Sequence, residues 1–221
     1  MSNKLWTGLS VLVCSLVLFL GLVPQANAIT TISDANSTAT LTFGAGFVDI
    51  TLTANNADPA SVGSVLSGFS FNLSATGSTL TTSSGQEITI NSNGTFALGA
   101  TVSTGWGFGA FGTGSILCVV CPGGVTATAT PEHLIIGLPG GGGTYTGNSS
   151  ILGNGPHNPF LNHTATFHIT NAAFTAGTTV GSGTFFYGTD FTGTVPEPAS
   201  LLLLGAGLMG LGISRWRKGQ A

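Results

Sequence analysis

Short runs in which an apolar residue alternates with a hydroxyl-bearing one constrain this chain more than any other feature. In FVDITLT (47–53), Val48, Ile50 and Leu52 share one face, and Asp49, Thr51 and Thr53 share the other. HTATFHIT (163–170) sets Ala165, Phe167 and Ile169 opposite Thr164, Thr166 and His168. VLSGFSFNL (65–73) lines up Val65, Phe69, Phe71 and Leu73 at a spacing of two, and GVTATAT (124–130) repeats the pattern with weaker residues. Successive side chains on a strand point to opposite faces, so this period over β-branched and aromatic residues predicts half-buried strands. Turn chemistry separates the runs: NNADP (55–59), NSNG (91–94) and PGGGG (139–143). No segment of 29–194 carries a convincing helical period. The expectation is an all-β fold of roughly eight to eleven short strands in one antiparallel unit. A β-sandwich, with a jelly roll as one way of connecting it, meets that description. Thirteen of the 14 Phe fall in this region and supply its core.

Charge narrows the partners. Charged residues make up 5% of the 221-residue chain, against roughly 25% in ordinary soluble proteins. All four cations, Lys4, Arg215, Arg217 and Lys218, lie at the two ends. Residues 29–194 hold only Asp34, Asp49, Asp58, Glu87, Glu132 and Asp190, a formal charge of −6 with histidines neutral. A surface without cations cannot neutralise phosphates, so nucleic acid is excluded as a partner. The clamps that phosphoryl-transfer sites use are missing too. The glycine-rich stretches GWGFGAFGTG (105–114) and GLPGGGGTYTG (137–147) are expected as loops or loosely held edge strands. Neither is followed by a lysine or set between a strand and a helix, as a phosphate cradle requires.

The N-terminus has the three parts of a secretory signal peptide: Lys4, an apolar core from about Leu9 to Val23, then Pro24 and an Ala26-Asn27-Ala28 ending. Signal peptidase would cut after Ala28, once the Sec translocon has engaged the apolar helix. Residues 1–28 are thus read as signal peptide and 29–194 as the mature domain, enough chain for one core.

Candidate chemistry inside that domain is sparse. Cys118 and Cys121 stand at C-x-x-C spacing, and in an oxidising compartment the leading reading is a disulfide. A redox-active pair would want a βαβ setting, and zinc a second ligand pair. His163 and His168 are five apart, on opposite faces of a strand. Glu132-His133 could face a metal, with a solvated loop edge the plainer reading. Asp49 and Asp58 are candidates for a calcium edge, which needs several clustered oxygens. A Ser-His-Asp triad has no G-x-S-x-G elbow to support it. No cofactor, metal site or catalytic residue is therefore expected.

The most specific signal is the tail, VPEPASLLLLGAGLMGLGISRWRKGQA (195–221). Pro196 and Pro198 stop any strand or helix from running into it. Residues 199–213 are uncharged and almost wholly apolar. As a helix they would span about 22 Å, short of a ~30 Å hydrocarbon core. Arg215, Arg217 and Lys218 would hold the C-terminus on the cytoplasmic side. Pro196-Glu197-Pro198, the apolar span and the basic cluster together resemble the PEP-CTERM sorting signal, the tripartite tail recognised by exosortases. The resemblance implies export, a transient inner-membrane tether, and processing near Pro-Glu-Pro by an exosortase. It also implies a Gram-negative bacterium that makes exopolysaccharide, with delivery to the cell surface or matrix. It covers 195–221 and transfers no activity.

The sequence thus describes a signal helix, a β-sandwich and a short C-terminal hydrophobic helix. A structural or adhesive role at the cell surface or in a biofilm, with exopolysaccharide nearby, leads the functional readings. A secreted carbohydrate-binding module comes second, and would require exposed aromatics such as Trp106, Tyr145 and Tyr187, with Phe108 and Phe111 close to Trp106. An extracytoplasmic hydrolase comes third.

Overall fold

The computed structural model describes residues 27–73 and 76–189. The expected signal helix and C-terminal hydrophobic helix lie outside these residues, as does the Pro-Glu-Pro motif. The described chain is all-β: β1 (Ala28–Ser33), β2 (Ser37–Gly44), β3 (Phe47–Ala54), β4 (Leu66–Phe71), β5 (Thr79–Ile90), β6 (Phe96–Val102), β7 (Gly107–Phe111), β8 (Gly114–Cys118), β9 (Ile135–Ile136), β10 (Phe160–Thr170) and β11 (Gly183–Tyr187). A single 3-10 turn, Val62–Ser64, is its one helical element. No helix among the described residues is long and apolar enough to cross a membrane.

The strands run β1-β2-β3-β10-β9-β4-β8-β7, with β5 and then β6 branching from β10 and β11 pairing with β4. The expectation of a purely antiparallel unit is corrected here, because the sheet is mixed. β9 lies parallel to β10 through Leu161–Ile135 and Asn162–Ile136. Parallel neighbours need a long crossover, and residues 137–159 provide one. Nor are there two separate sheets. β9 also touches β4 at Leu66, so the half built on β1, β2, β3, β10, β5 and β6 continues into the half built on β11, β4, β8 and β7.

β10 makes this branching possible. Its second half, Thr164 to Thr170, pairs with β3, and its first half pairs with β9 on that same side. β5 follows it along the other edge, with a register shift between Leu161 and Ala165. At the break, His163 takes a left-handed φ of 64°. Its Nδ1 donates to the Ala54 carbonyl at 2.9 Å, which offsets part of the ~1–2 kcal/mol that this conformation costs a residue with a Cβ. Just before β10, the Asn158 side chain caps the end of β5: its amide oxygen accepts from Ile90 N–H at 3.0 Å and its Nδ2 donates to Ile90 C=O at 3.1 Å.

The alternation seen in the sequence becomes burial. Leu41 and Phe43 of β2, Ile50 and Leu52 of β3, Phe69 of β4 and Phe167 of β10 all lie in one core shared by both halves. Trp106 joins it from the β6–β7 connection, its ring 5.3 Å from that of Phe167. A smaller cluster of Ile116, Cys118 and Phe186 forms on the opposite face of β8 and β11. The segment 124–130, expected as a strand, is a loop that covers this second cluster. Its Thr128 N–H donates to Gly105 C=O, and Val125 packs against Ile116, Cys118 and Phe186. With one valine and no aromatic, the run gains more by capping a small cluster than by joining a ladder. The 105–114 stretch is largely strand, contributing β7 and the start of β8.

Cys118 and Cys121 are disulfide-bonded. At Gly94 (φ 81°), a Cβ would collide with the Tyr145 carbonyl oxygen, so glycine there lets the 91–94 turn receive Tyr145 N–H on its own carbonyl at 2.9 Å.

Two stability outcomes follow. Phe167→Ala should cost about 3–5 kcal/mol, since it empties part of the shared core, whereas exposed Thr82→Val should stay within about 0.5 kcal/mol; urea melts read by tryptophan fluorescence distinguish the two. Reducing Cys118–Cys121 opens only a four-residue ring, so the loss should be about 2 kcal/mol, the low end for a disulfide, read as a thermal shift with and without reductant.

Candidate functional site: a hydroxyl face with an acid–histidine pair

The outward positions of β1, β2, β3, β10 and β5 fall into register across five strands. Thr31 faces Thr40, Thr40 faces Thr51, Thr51 faces Thr166, and Thr166 faces Ser84. One step along the strands in one direction, Ser33, Thr38, Thr53 and Thr164 form a second row. One step in the other, Ile29, Thr42, Asp49, His168 and Thr82 form a third. The β-pleat fixes the spacing at about 4.8 Å between strands and about 6.7 Å between successive outward residues of one strand. On β2, β3 and β10 the inward partners Ala39, Leu41, Phe43, Val48, Ile50, Leu52, Ala165, Phe167 and Ile169 are apolar and buried, which pins the register: a one-residue slip would turn the hydroxyls into the core.

One acid–histidine pair stands on this face. His168 Nδ1 lies 2.6 Å from Asp49 Oδ1, and both side chains are substantially exposed. The Phe47 ring stacks on the His168 imidazole at 5.2 Å. A shallow depression of about 360 Å³ opens here, lined by Asp49, Thr51, Thr82, Ser84, Thr166 and His168 among others. Asp49 therefore serves a histidine contact, and Asp58, its proposed calcium partner, is engaged elsewhere. Asp58 accepts from Thr146 N–H at 2.7 Å and from Thr146 Oγ1 at 2.6 Å. Among the described residues, no three His, Cys, Asp or Glu side chains gather as a metal site would require.

A second acid–histidine pair is nearly buried. His133 Nδ1 donates to Thr104 C=O at 2.9 Å, and its Nε2 stands 3.2 Å from Glu87 Oε1. The Trp106 indole N–H donates to the His133 carbonyl at 2.8 Å. Of Glu132-His133, expected at a solvated loop edge, Glu132 is exposed, whereas the His133 side chain is only 12% exposed and faces Glu87. The pairing crosses from β5 to the segment before β9, a distance in sequence that no local pattern reveals. His157 and His163 face backbone carbonyls, of Pro131 and Ala54. No histidine among the described residues is hydrogen-bonded to a serine hydroxyl.

The three aromatics proposed as glycan contacts are core residues: Trp106 is 5%, Tyr145 2% and Tyr187 8% exposed. Tyr145 donates its hydroxyl to Gly137 C=O at 2.8 Å, and burial, reinforced by Asp58, pushes its ionisation upward. Tyr187 donates to both oxygens of Asp34, at 2.9 and 2.7 Å, and burial chiefly raises its ionisation as well. Their rings offer no platform on which a sugar could stack. Phe108 and Phe111 are partly buried, each packed against a core cluster.

Other sequence-proposed residues fall differently. Ala28 opens β1, so the expected signal-peptide cut after it lies at the first residue of an edge strand. Ala26, Pro196, Glu197, Pro198, Arg215, Arg217 and Lys218 lie outside the described residues. Comparison with known proteins finds no match to the chain among curated proteins or among solved structures. Its tail does match: residues 194–218 fit the family model of the PEP-CTERM protein-sorting motif, which marks the chain as an exported, exosortase-targeted protein.

Proposed function

We propose that this chain is a surface or extracellular-matrix protein of a Gram-negative bacterium, with a structural or adhesive role in the envelope or biofilm. The observation that carries this reading is the sorting motif at 194–218. In this scheme the Sec translocon exports the chain and signal peptidase removes residues 1–28. The apolar span then holds the protein briefly in the inner membrane, with Arg215, Arg217 and Lys218 on the cytoplasmic side. Exosortase cuts near Pro196-Glu197-Pro198, where Glu197 is a recognition residue and not a catalytic acid.

The domain suits this route. Its last strand ends at Tyr187, where the ring hydroxyl is held by Asp34 and Gly188 N–H donates to Val65 C=O at 2.8 Å. The described ladders therefore close before the motif begins. An exterior almost free of charge is compatible with embedding in exopolysaccharide.

Fractionation of the native host tests the proposal. The wild-type protein should appear in the surface and matrix fractions, and Pro196→Ala/Glu197→Ala should accumulate in the inner membrane with its tail uncut. Equal retention of both proteins, or equal release of both, overturns the sorting role of the motif.

A further inference from the structure

The hydroxyl face has a regularity that solubility alone does not require. Its middle row puts Thr31, Thr40, Thr51, Thr166 and Ser84 side by side on five adjacent strands. Ser84 and Thr166 bond to each other at 2.8 Å. Thr40, Thr42, Thr51 and Thr82, by contrast, make no side-chain hydrogen bond to the protein among the described residues, so their hydroxyls are available to a ligand. Each threonine also presents a methyl group beside its hydroxyl, giving the face alternating polar and apolar points on a fixed grid.

Charge selects among ligands. The domain carries no Lys or Arg, so a polyanion would meet only repulsion from its carboxylates. The one acid on the face, Asp49, is already matched by His168. Lipid would need an apolar patch or a basic one, and the face has neither. The ligand that answers this chemistry is neutral, long, and itself covered with hydroxyls that both donate and accept.

We propose that the outward face of β1, β2, β3, β10 and β5 binds an extended, uncharged polysaccharide, seated at the depression between Asp49, Thr51, Thr166 and His168. The middle threonine row supplies repeated weak hydrogen bonds along the chain. Asp49 fixes the polymer's position, since His168 engages its Oδ1 and Oδ2 remains free to accept from a sugar hydroxyl. Many modest contacts summed along one polymer hold it without a deep pocket. The inference differs from an aromatic-platform module in using none of Trp106, Tyr145 or Tyr187. It rests on the reading that the protein is exported, since only then does it meet such a polymer.

The test is affinity electrophoresis of the full-length chain in mild detergent, through native gels containing dextran, laminarin, galactomannan or, as the polyanion, alginate. At least one neutral polymer should retard the wild type and alginate should not. Thr40→Val/Thr51→Val keeps shape and strand preference, breaks no bond within the protein, and should weaken the apparent affinity at least tenfold. Asp49→Asn should weaken it independently, with the melting temperature of each variant confirming the fold. The proposal is overturned if no neutral polymer retards the wild type, if Thr40→Val/Thr51→Val is retarded equally, or if alginate retards it as strongly. Because the assay is carried out in vitro, its failure leaves the sorting reading intact, and a failure of the fractionation experiment leaves this result standing.

Discussion

The pairing of β10 with three other strands is the constraint on which the rest of the architecture depends. A strand has two edges, so three partners are possible only if one edge is shared end to end. β3 and β9 divide that edge at His163, whose left-handed backbone and bond to Ala54 C=O mark the division. Below it, β9 carries the sheet across to β4 and the second half. Above it, β3 and β5 flank Thr164 to Thr170 and hold Ala165, Phe167 and Ile169 in the core. The same pleat that buries those residues turns Thr164, Thr166 and His168 outward, so the core and the hydroxyl face are two consequences of one register.

A chain without interior cations must settle its carboxylates differently from most proteins. Asp34 accepts from Asn36 N–H, Ser37 N–H and the Tyr187 hydroxyl. Asp58 accepts from the backbone and side chain of Thr146. Asp49 and Glu87 each face a histidine. Hydrogen bonds to an ionised acceptor are stronger than neutral ones, so these four acids are satisfied without a lysine or arginine. They also do tertiary work that charge pairs often do poorly at a surface: Asp34 joins the β1–β2 turn to the last strand, and Asp58 joins the 55–59 turn to the glycine-rich 137–147 loop.

What the sequence made legible was whatever repeats at short range. The runs 47–53 and 163–170 are strands with the expected faces, because an apolar residue at every second position has one way to be buried beside a sheet. The 65–73 run is a strand at its centre, although Leu66 is as buried as its neighbour Val65. The 124–130 run shows the limit of the pattern: period two with alanine and threonine lacks the apolar area to enforce pairing. β9 is two residues long, below any periodic signal, yet it decides that the sheet is mixed. The candidate site divides in the same way. The outward threonines of 47–53 and 163–170 were readable in the sequence, while those of β1, β2 and β5, and the assembly of all of them into rows, depended on which strands became neighbours. Glu87 with His133 and Asp49 with His168 are contacts across distant segments, and Trp106, Tyr145 and Tyr187, unlike the phenylalanines, showed their burial only once the core was assembled around them.

The described ladders and the sorting motif occupy different parts of the chain. All described ladders fall between Ala28 and Tyr187, and the two ends of that body are anchored at opposite ends of β1. At the start, Ala28 N–H donates to Ala176 C=O at 2.8 Å. About 20 Å away, at ~3.3 Å per residue, the turn after Ser33 holds Asp34 against Tyr187. A cut after Ala28 removes one ladder position from an edge strand and leaves Ile29 to Ser33 paired with β2. Removal of residues 1–28 would thus cost β1 one of its six pairings with β2.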